Sequence, residues 1–143
     1  MAHDAIRELV ERVTYAPGYT SAVGTKVESA EPGHVVMSLA KTDHLSQANG
    51  FFHGGVIAGL ADHAAGGAVT TAMPPGRFAV TVNLQVSFLA PAKGTLLVAR
   101  ARALQVGSTI GVARVDVASV ADGAETPCAI ATVTLRGVDF PAQ

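Results

Sequence analysis

The stretch FFHGGVIAGLAD, residues 51–62, joins a histidine and two glycines to an apolar run that contains one aspartate. From His53 to about Thr71 the chain has no proline and many alanines, and the sequence MPPG follows at 73–76. Because proline cannot continue a helix, this pattern predicts one helix of about 18 residues that ends before the two prolines.

Three glycines, Gly59, Gly66 and Gly67, lie inside this predicted helix. Each glycine lowers helix stability by roughly 0.5–1 kcal/mol relative to alanine. We therefore expect another surface to approach the helix closely at these positions, where the missing side chains leave room for it.

Most of the remaining chain alternates apolar and polar residues in the manner of β-strands. Residues 3–13 are an exception, because their apolar residues recur at helical spacing and predict a short amphipathic helix. The predicted strands are VGTKVES and HVVMSLA in a hairpin, followed by RFAVTVNLQVSFLAP, GTLLVARARALQVG, STIGVARVDVASV and ETPCAIATVTLRGV. We predict a single domain over residues 1–143 with an α+β fold, in which a curved antiparallel β-sheet wraps around the long central α-helix.

Composition argues against several classes of function. Apolar residues make up 49% of the chain, charged residues 15%, and the net charge is −1, so no basic stripe is available for nucleic acid. The histidines have no spacing typical of a metal site, and GxSxG, P-loop and GxGxxG motifs are absent from the sequence. Cys128 is the only cysteine and is expected to be a buried strand residue. No apolar run reaches the ~18 residues of a membrane span. We expect a soluble cytoplasmic homo-oligomer without metal or cofactor.

The start of the predicted central helix is a candidate binding site. The first N–H groups of a helix have no intrahelical acceptor, and the helix dipole favours negative charge beside them. Gly54 and Gly55 have no side chains that would keep a ligand carbonyl away from these donors. The alternative is that the two glycines only allow a tight loop to lead into a crowded helix.

Asp62 is the candidate acid of this stretch. It lies eight residues after Gly54, which is about 80° around the helix and about 12 Å along its axis. One acyl carbon cannot contact both residues of the same chain, but two antiparallel helices related by a dyad would bring Gly54 of one subunit opposite Asp62 of the other. A site that uses both residues must therefore straddle a dimer interface. The alternative is that Asp62, beside His63, lies on a solvated helix face.

The sequences SQANGFFHGGVIAGLAD and VNLQVSFLAPAKG resemble the hotdog-fold acyl-CoA thioesterases of the PaaI-like (phenylacetate-pathway) group. The resemblance covers roughly residues 20–137. It implies a five-stranded antiparallel sheet around the central helix, dimers with a continuous sheet and interfacial active sites, and pairing of such dimers into homotetramers. It also implies an acyl-CoA substrate, an aromatic acyl group among the candidates, and thioester hydrolysis to a free acid and coenzyme A.

The same resemblance assigns roles to individual residues. Asp62 falls on the catalytic carboxylate, Gly54 on the glycine whose N–H polarises the thioester carbonyl, and Gln47 on the loop amide that helps to bind it. Substrate binding is assigned to Asn49, His53, Gly55 and Thr81. Gly66 leaves no hydroxyl one turn after Asp62, unlike some similar enzymes.

Two other functions fit the sequence. A non-catalytic acyl-CoA-binding hotdog module would keep the glycines but would not need an acid at position 62. A hotdog hydratase or dehydratase would need a histidine for proton transfer, and His53 and His63 are the candidates. For the coenzyme A phosphates the candidates are Arg77, Arg114 and the turn at 107–109. The candidates for an acyl pocket are Phe51, Phe52, Phe78 and Phe88, although phenylalanine is more often a core residue.

Overall fold

A computed structural model of the chain describes residues 3–140. The helices are α1 (His3–Tyr15), α2 (Tyr19–Val23) and α3 (Gly54–Ala72), and a single 3-10 turn spans Asp43–Leu45. The strands are β1 (Lys26–Glu31), β2 (His34–Ala40), β3 (Arg77–Phe88), β4 (Leu96–Val106), β5 (Ile110–Ala121) and β6 (Ala124–Asp139). Every predicted helix and strand is present, but the first strand begins at Lys26 rather than at Val23, which belongs to α2. Helix α2 and the 3-10 turn are additions. None of the helices in this range is both long and apolar enough to cross a lipid bilayer.

The six strands form one antiparallel sheet in the order β1-β2-β4-β5-β6-β3. The predicted α+β hotdog architecture, a curved sheet with one long helix, is confirmed. The sheet has six strands rather than the five that the resemblance implies, because β1 pairs with β2 from Lys26 to Glu31 as a full strand. Strands β1 and β3 lie at the two edges, so β3, which follows α3 directly, has a free edge within one chain.

The predicted turn in ADGAE connects β5 and β6. Asp122 and Gly123 both have positive φ, at 51° and 79°, and Ala121 pairs with Ala124 across them. Two central residues with positive φ match the twist of a two-residue hairpin, and the Asp-Gly pair is well suited to it. This turn fixes the register of the two strands in the middle of the sheet.

Helix α3 packs against the sheet through small residues. Ala61, Ala64, Ala65 and Ala68 are all fully buried, so the strands lie close to the helix axis. One close approach is at Gly111 of β5, where an added methyl group would lie 2.5 Å from a Val69 methyl group. Cys128 is fully buried in β6, as predicted.

The expectation of close approach holds at two of the three glycines in α3. A methyl group on Gly59 would lie 2.8 Å from the Tyr19 hydroxyl, and one on Gly67 would lie 3.4 Å from Val35. At Gly66 the expectation is wrong, because the nearest atom would be a Leu135 methyl group at 3.9 Å. Gly66 faces a cavity instead of a packed surface.

Helix α1 lies against β1 and α3. It buries Ile6, Val10 and Thr14, in agreement with the predicted amphipathic pattern. The Arg7 guanidinium donates hydrogen bonds to two carbonyl groups of β1. The Val27 N–H donates to the Tyr15 hydroxyl at 3.0 Å. These contacts fix α1 over the middle of α3, where it forms one wall of a cavity.

Candidate active site

Helix α3 begins directly after His53, which caps it. His53 Nδ1 accepts a hydrogen bond from the Gly55 N–H at 2.8 Å, and the His53 carbonyl accepts from Val56 and Ile57. Among residues 3–140, no acceptor pairs with the N–H of Gly54. The first helical residue therefore keeps an unused donor at the positive end of a 19-residue helix, while the Gly55 N–H is already engaged.

The loop before α3 is folded back on itself. The Gln47 side-chain amide donates to the Phe52 carbonyl at 3.2 Å, and the Gln47 N–H donates to the Phe51 carbonyl at 2.8 Å. Asn49 Oδ1 accepts from the Phe51 N–H at 3.1 Å. The amide groups of Gln47 and Asn49 are thus held beside the start of α3 by local hydrogen bonds.

Gln47, Asn49 and Gly54 line one cleft of about 530 Å³, which we call the donor cleft. Phe88, at the end of β3, closes one side of it. A methyl group on Gly54 would lie 3.3 Å from the tip of the Phe88 ring, so the ring lies against the bare Cα of the glycine. The complete lining of the donor cleft is Gln47, Asn49, Phe51, Phe52, Gly54, Ile57 and Phe88–Ala92.

Asp62 lies in a different cavity of the same chain. The Thr81 hydroxyl of β3 donates a hydrogen bond to Asp62 Oδ1 at 2.6 Å, so the carboxylate is held by a neighbouring strand. The cavity beside them has a volume of about 120 Å³, and we call it the acid pocket. Its lining is Leu9, Val10, Val13, Thr14, Met37, Asp62, His63, Gly66, Gly67, Thr70, Phe78 and Thr81.

His63 is the residue of the acid pocket that bonds to α1. A hydrogen bond of 2.9 Å joins His63 Nε2 to the hydroxyl of Thr14, which is fully buried. Burial lowers the pKa of His63 from its ordinary value of 6.5, and the neighbouring Asp62 carboxylate opposes this effect. Local sequence pattern does not predict the Thr14 contact, because the two residues are 49 positions apart.

The structure places five of the seven predicted site residues in two groups, whereas His53 and Gly55 line neither the donor cleft nor the acid pocket. Gln47, Asn49 and Gly54 share the donor cleft, whereas Asp62 and Thr81 share the acid pocket. Eight helical residues separate Gly54 from Asp62, about 12 Å along α3. One chain alone does not bring a bare amide and the carboxylate to the same carbon atom.

The candidate phosphate-binding arginines are both paired. Arg77 bonds to Asp139 at 2.9 Å and to the carbonyl groups of Ser108 and Gly137, and Arg114 bonds to Asp116. Two lysines lie near the donor cleft instead. The Lys93 ammonium lies 5.5 Å from the centre of the Phe51 ring, and the Lys41 ammonium lies 5.8 Å from that of Phe52.

Comparison with known proteins identifies the family. A family model described as "Thioesterase superfamily" matches residues 49–124, a range that includes α3 and the start of β6. A candidate esterase of Halobacterium salinarum is 36% identical over 127 residues, covering 85% of this chain and 83% of that protein. Human acyl-coenzyme A thioesterase 13 is 30% identical over 123 residues, covering 83% of this chain and 86% of that protein.

Solved structures agree with this result. A thioesterase family protein from Silicibacter pomeroyi superposes with a TM-score of 0.88 at 29% identity, covering 94% of this chain and 99% of that chain. The PaaI protein of the E. coli phenylacetic acid degradation operon has the same fold, with a TM-score of 0.81 at 21% identity and 96% of each chain covered. With the family model matching more than half of its length, the chain belongs to the thioesterase superfamily.

Proposed function

We propose that this chain hydrolyses acyl-CoA thioesters to a free acid and coenzyme A, at sites shared between two copies of the chain. One observation carries the proposal. The Gly54 N–H, which has no acceptor among residues 3–140, and the Asp62 carboxylate, which is bonded to Thr81, belong to the same helix but face separate cavities. Relatives named acyl-coenzyme A thioesterase 13 and 1,4-dihydroxy-2-naphthoyl-CoA hydrolase support the substrate class.

In the proposed reaction, the thioester carbonyl lies in the donor cleft against the Gly54 N–H. Negative charge develops on the carbonyl oxygen as the tetrahedral intermediate forms, and a fixed donor at a helix N-terminus stabilises it. Gln47 lies in the same cleft and adds a second polar group. His53 contributes indirectly, because its bond to Gly55 fixes the first turn of α3.

The carboxylate of Asp62 comes from the partner subunit. As a general base it takes a proton from water, whose oxygen bonds to the carbonyl carbon; the C–S bond then breaks and the thiolate takes that proton. As a nucleophile it attacks the carbonyl carbon itself, and the C–S bond breaks to release the coenzyme A thiolate. Water then hydrolyses the mixed anhydride to the free acid and the Asp62 carboxylate, and one proton of that water goes to the thiolate. In both routes Thr81 is a positioning residue that holds one carboxylate oxygen.

The free edge of β3 is the surface through which we propose that two copies associate. Five of the nine large hydrophobic side chains that are exposed in residues 3–140 fall within 80–89. An unpaired strand edge and an exposed apolar patch coincide there. Edge-to-edge pairing of two β3 strands would therefore supply hydrogen-bond partners to the edge and bury the apolar side chains. Thr81 and Phe88 lie on this strand, so its pairing brings the acid pocket and the donor cleft of different copies together.

We propose that Lys93 and Lys41 bind the phosphate groups of coenzyme A, since both lie over rings that line the donor cleft. We expect Lys93→Ala to raise KM for an acyl-CoA. The KM for the matching acyl-N-acetylcysteamine thioester, which has no phosphates, should stay the same. Equal KM changes for the two thioesters would show that Lys93 does not bind the phosphate groups.

The histidine geometry does not favour a hydratase or dehydratase. His53 uses Nδ1 to cap α3, and His63 is bonded to Thr14 beneath α1. A non-catalytic binding module would have no need for the bond between Thr81 and Asp62. Measuring thiol release from acyl-CoAs, alongside water loss from a hydroxyacyl-CoA, separates the three functions in one set of assays.

The shared site is tested with two inactivating substitutions in different chains. Asp62→Asn removes the carboxylate and is expected to lower kcat about 100-fold or more. Gly54→Pro removes the donor, for which we expect a loss of about 100- to 1000-fold. Proline suits the first residue of a helix, and His53 has the extended backbone (ψ 138°) that precedes proline well. Gly54→Ala, which keeps the N–H, is the matched control.

The two variant chains are expressed together with different affinity tags, and the mixed dimer is purified through both tags. In a site made from two chains, the mixed dimer contains one fully native site and should recover about half of the parent activity. If each site belonged to one chain, both sites would stay damaged. The mixed dimer would then be as inactive as the Asp62→Asn and Gly54→Pro proteins alone. That result would overturn the shared site.

A further inference from the structure

The acid pocket extends beyond Asp62 along α3. Gly66 and Thr70 follow Asp62 at intervals of four residues, so the three residues lie on one face of the helix. The opposite wall comes from α1, through Leu9 and Val13. The pocket thus begins at the candidate acid and continues beneath the N-terminal helix.

Gly66 is the residue that keeps this pocket open. A methyl group on Gly66 would have one neighbour within 4 Å, a Leu135 methyl group at 3.9 Å. Neither backbone conformation nor close packing therefore requires a glycine here, although glycine costs about 1 kcal/mol of helix stability relative to alanine. What glycine provides at position 66 is empty space beside Asp62, and a larger side chain would fill it.

The wall of the pocket presents mainly apolar surface. Its polar side chains bond to one another or to the backbone: Thr14 to His63 at 2.9 Å and Thr81 to Asp62 at 2.6 Å. Thr70 accepts the Ala79 N–H at 3.0 Å. The remaining lining is aliphatic or aromatic, with the Phe78 ring held edge-on against Phe140 at 5.2 Å. Such a wall suits an apolar group.

We propose that the acid pocket receives the acyl group of the substrate, and that Gly66 and Leu9 set its upper size at about one aromatic ring. This inference rests on the proposed thioesterase function, in which the carbonyl held by Gly54 lies next to Asp62 of the partner subunit. The acyl group then continues past that carboxylate into the partner's pocket. A volume of 120 Å³ is close to that of engineered apolar cavities of about 150 Å³ that bind benzene.

Filling and enlarging the pocket must change selectivity in opposite directions. We expect Gly66→Val to lower kcat/KM for benzoyl-CoA roughly tenfold or more relative to kcat/KM for acetyl-CoA, because even one methylene group in an apolar pocket changes selectivity by that much. Leu9→Ala should raise kcat/KM for 2-naphthoyl-CoA, a two-ring substrate, relative to benzoyl-CoA. Leu104→Ala, the same truncation at an exposed position of β4, is the matched control.

Gly66→Ala separates pocket shape from folding, because it raises helix propensity while it narrows the pocket. Lower benzoyl-CoA activity in a variant that is at least as stable as the parent supports the assignment. Unchanged ratios between benzoyl-CoA, 2-naphthoyl-CoA and acetyl-CoA in both Gly66→Val and Leu9→Ala would overturn the pocket assignment and leave the thioesterase function intact. A parent protein that releases no thiol from any acyl-CoA would overturn both.

Discussion

His63 couples the stability of the fold to pH. Burial lowers its pKa below 6.5, so between that folded value and 6.5 the unfolded chain binds more protons than the folded one. The contribution of His63 to the free energy of unfolding is therefore complete above about pH 6.5, and it is lost as the pH falls toward the pKa of the folded state. We expect the free energy of unfolding to decrease over this range by at most about 1.4 kcal/mol per pH unit from this group.

The measurement is urea unfolding at pH 7.5, 6.5 and 5.5, at one protein concentration because association shifts apparent stability. His63→Gln should flatten the dependence between pH 6.5 and 5.5. His34→Gln, at an exposed position of β2, is the matched control. If the slope of the parent and that of His63→Gln are the same, His63 is not the group responsible.

At the scale of single residues, the distance between two site residues along the helix could be predicted from the sequence. Their side-chain partners could not. The eight-residue separation of Gly54 and Asp62 follows from helix geometry, and the two residues do line separate cavities. The bond from Thr81 to Asp62 joins residues 19 positions apart on a strand and a helix. Local sequence pattern does not specify such a contact, because it depends on how the strand is placed over the helix.

The packing of β5 over α3 can be tested at Gly111. A methyl group there would lie 2.5 Å from a methyl group of Val69, which is fully buried. We expect Gly111→Ala to lower the free energy of unfolding by about 1–3 kcal/mol through overpacking. Chemical denaturation measures this change directly.

Gly66→Ala is the matched comparison, because there the same methyl group would enter open space, on the helix that carries Val69. It should leave stability unchanged or raise it by up to about 1 kcal/mol through helix propensity. Equal destabilisation by both substitutions would mean that the contact with Val69 is not the reason why Gly111 lacks a side chain.

Periodicity predicted the long elements and missed the short ones. Helices α1 and α3 and all six strands follow from helical spacing, alternation and turn residues, with α3 ending one residue later than expected. The five residues of α2 are too few to show a helical period. Strand β3 illustrates a different limit, since alternation identifies its apolar residues but does not indicate whether another chain covers them.

Exposed hydrophobic side chains are distributed unevenly over the surface of the chain. Its apolar content predicted association, and the structure locates exposed hydrophobic side chains along β3, at one edge of the sheet. The proposed active site needs the same association, because the donor cleft and the acid pocket do not meet within one copy. Assembly and activity are therefore expected to be lost together.

Val82→Lys tests this coupling. Val82 lies in an irregularity of the pairing between β3 and β6 and is 62% exposed, so its replacement removes little packing within one chain. A charged residue on an edge strand opposes pairing with another strand, and two related copies would bring two lysines together. We expect light scattering to show a shift toward monomer, together with a loss of kcat of the same order as in Asp62→Asn.

Leu104→Lys, at an exposed position of β4, is the matched control and should change neither the association state nor kcat. A Val82→Lys monomer with parental activity would place the complete site within one chain, whereas an inactive monomer that is as stable as the parent chain fits catalysis between subunits.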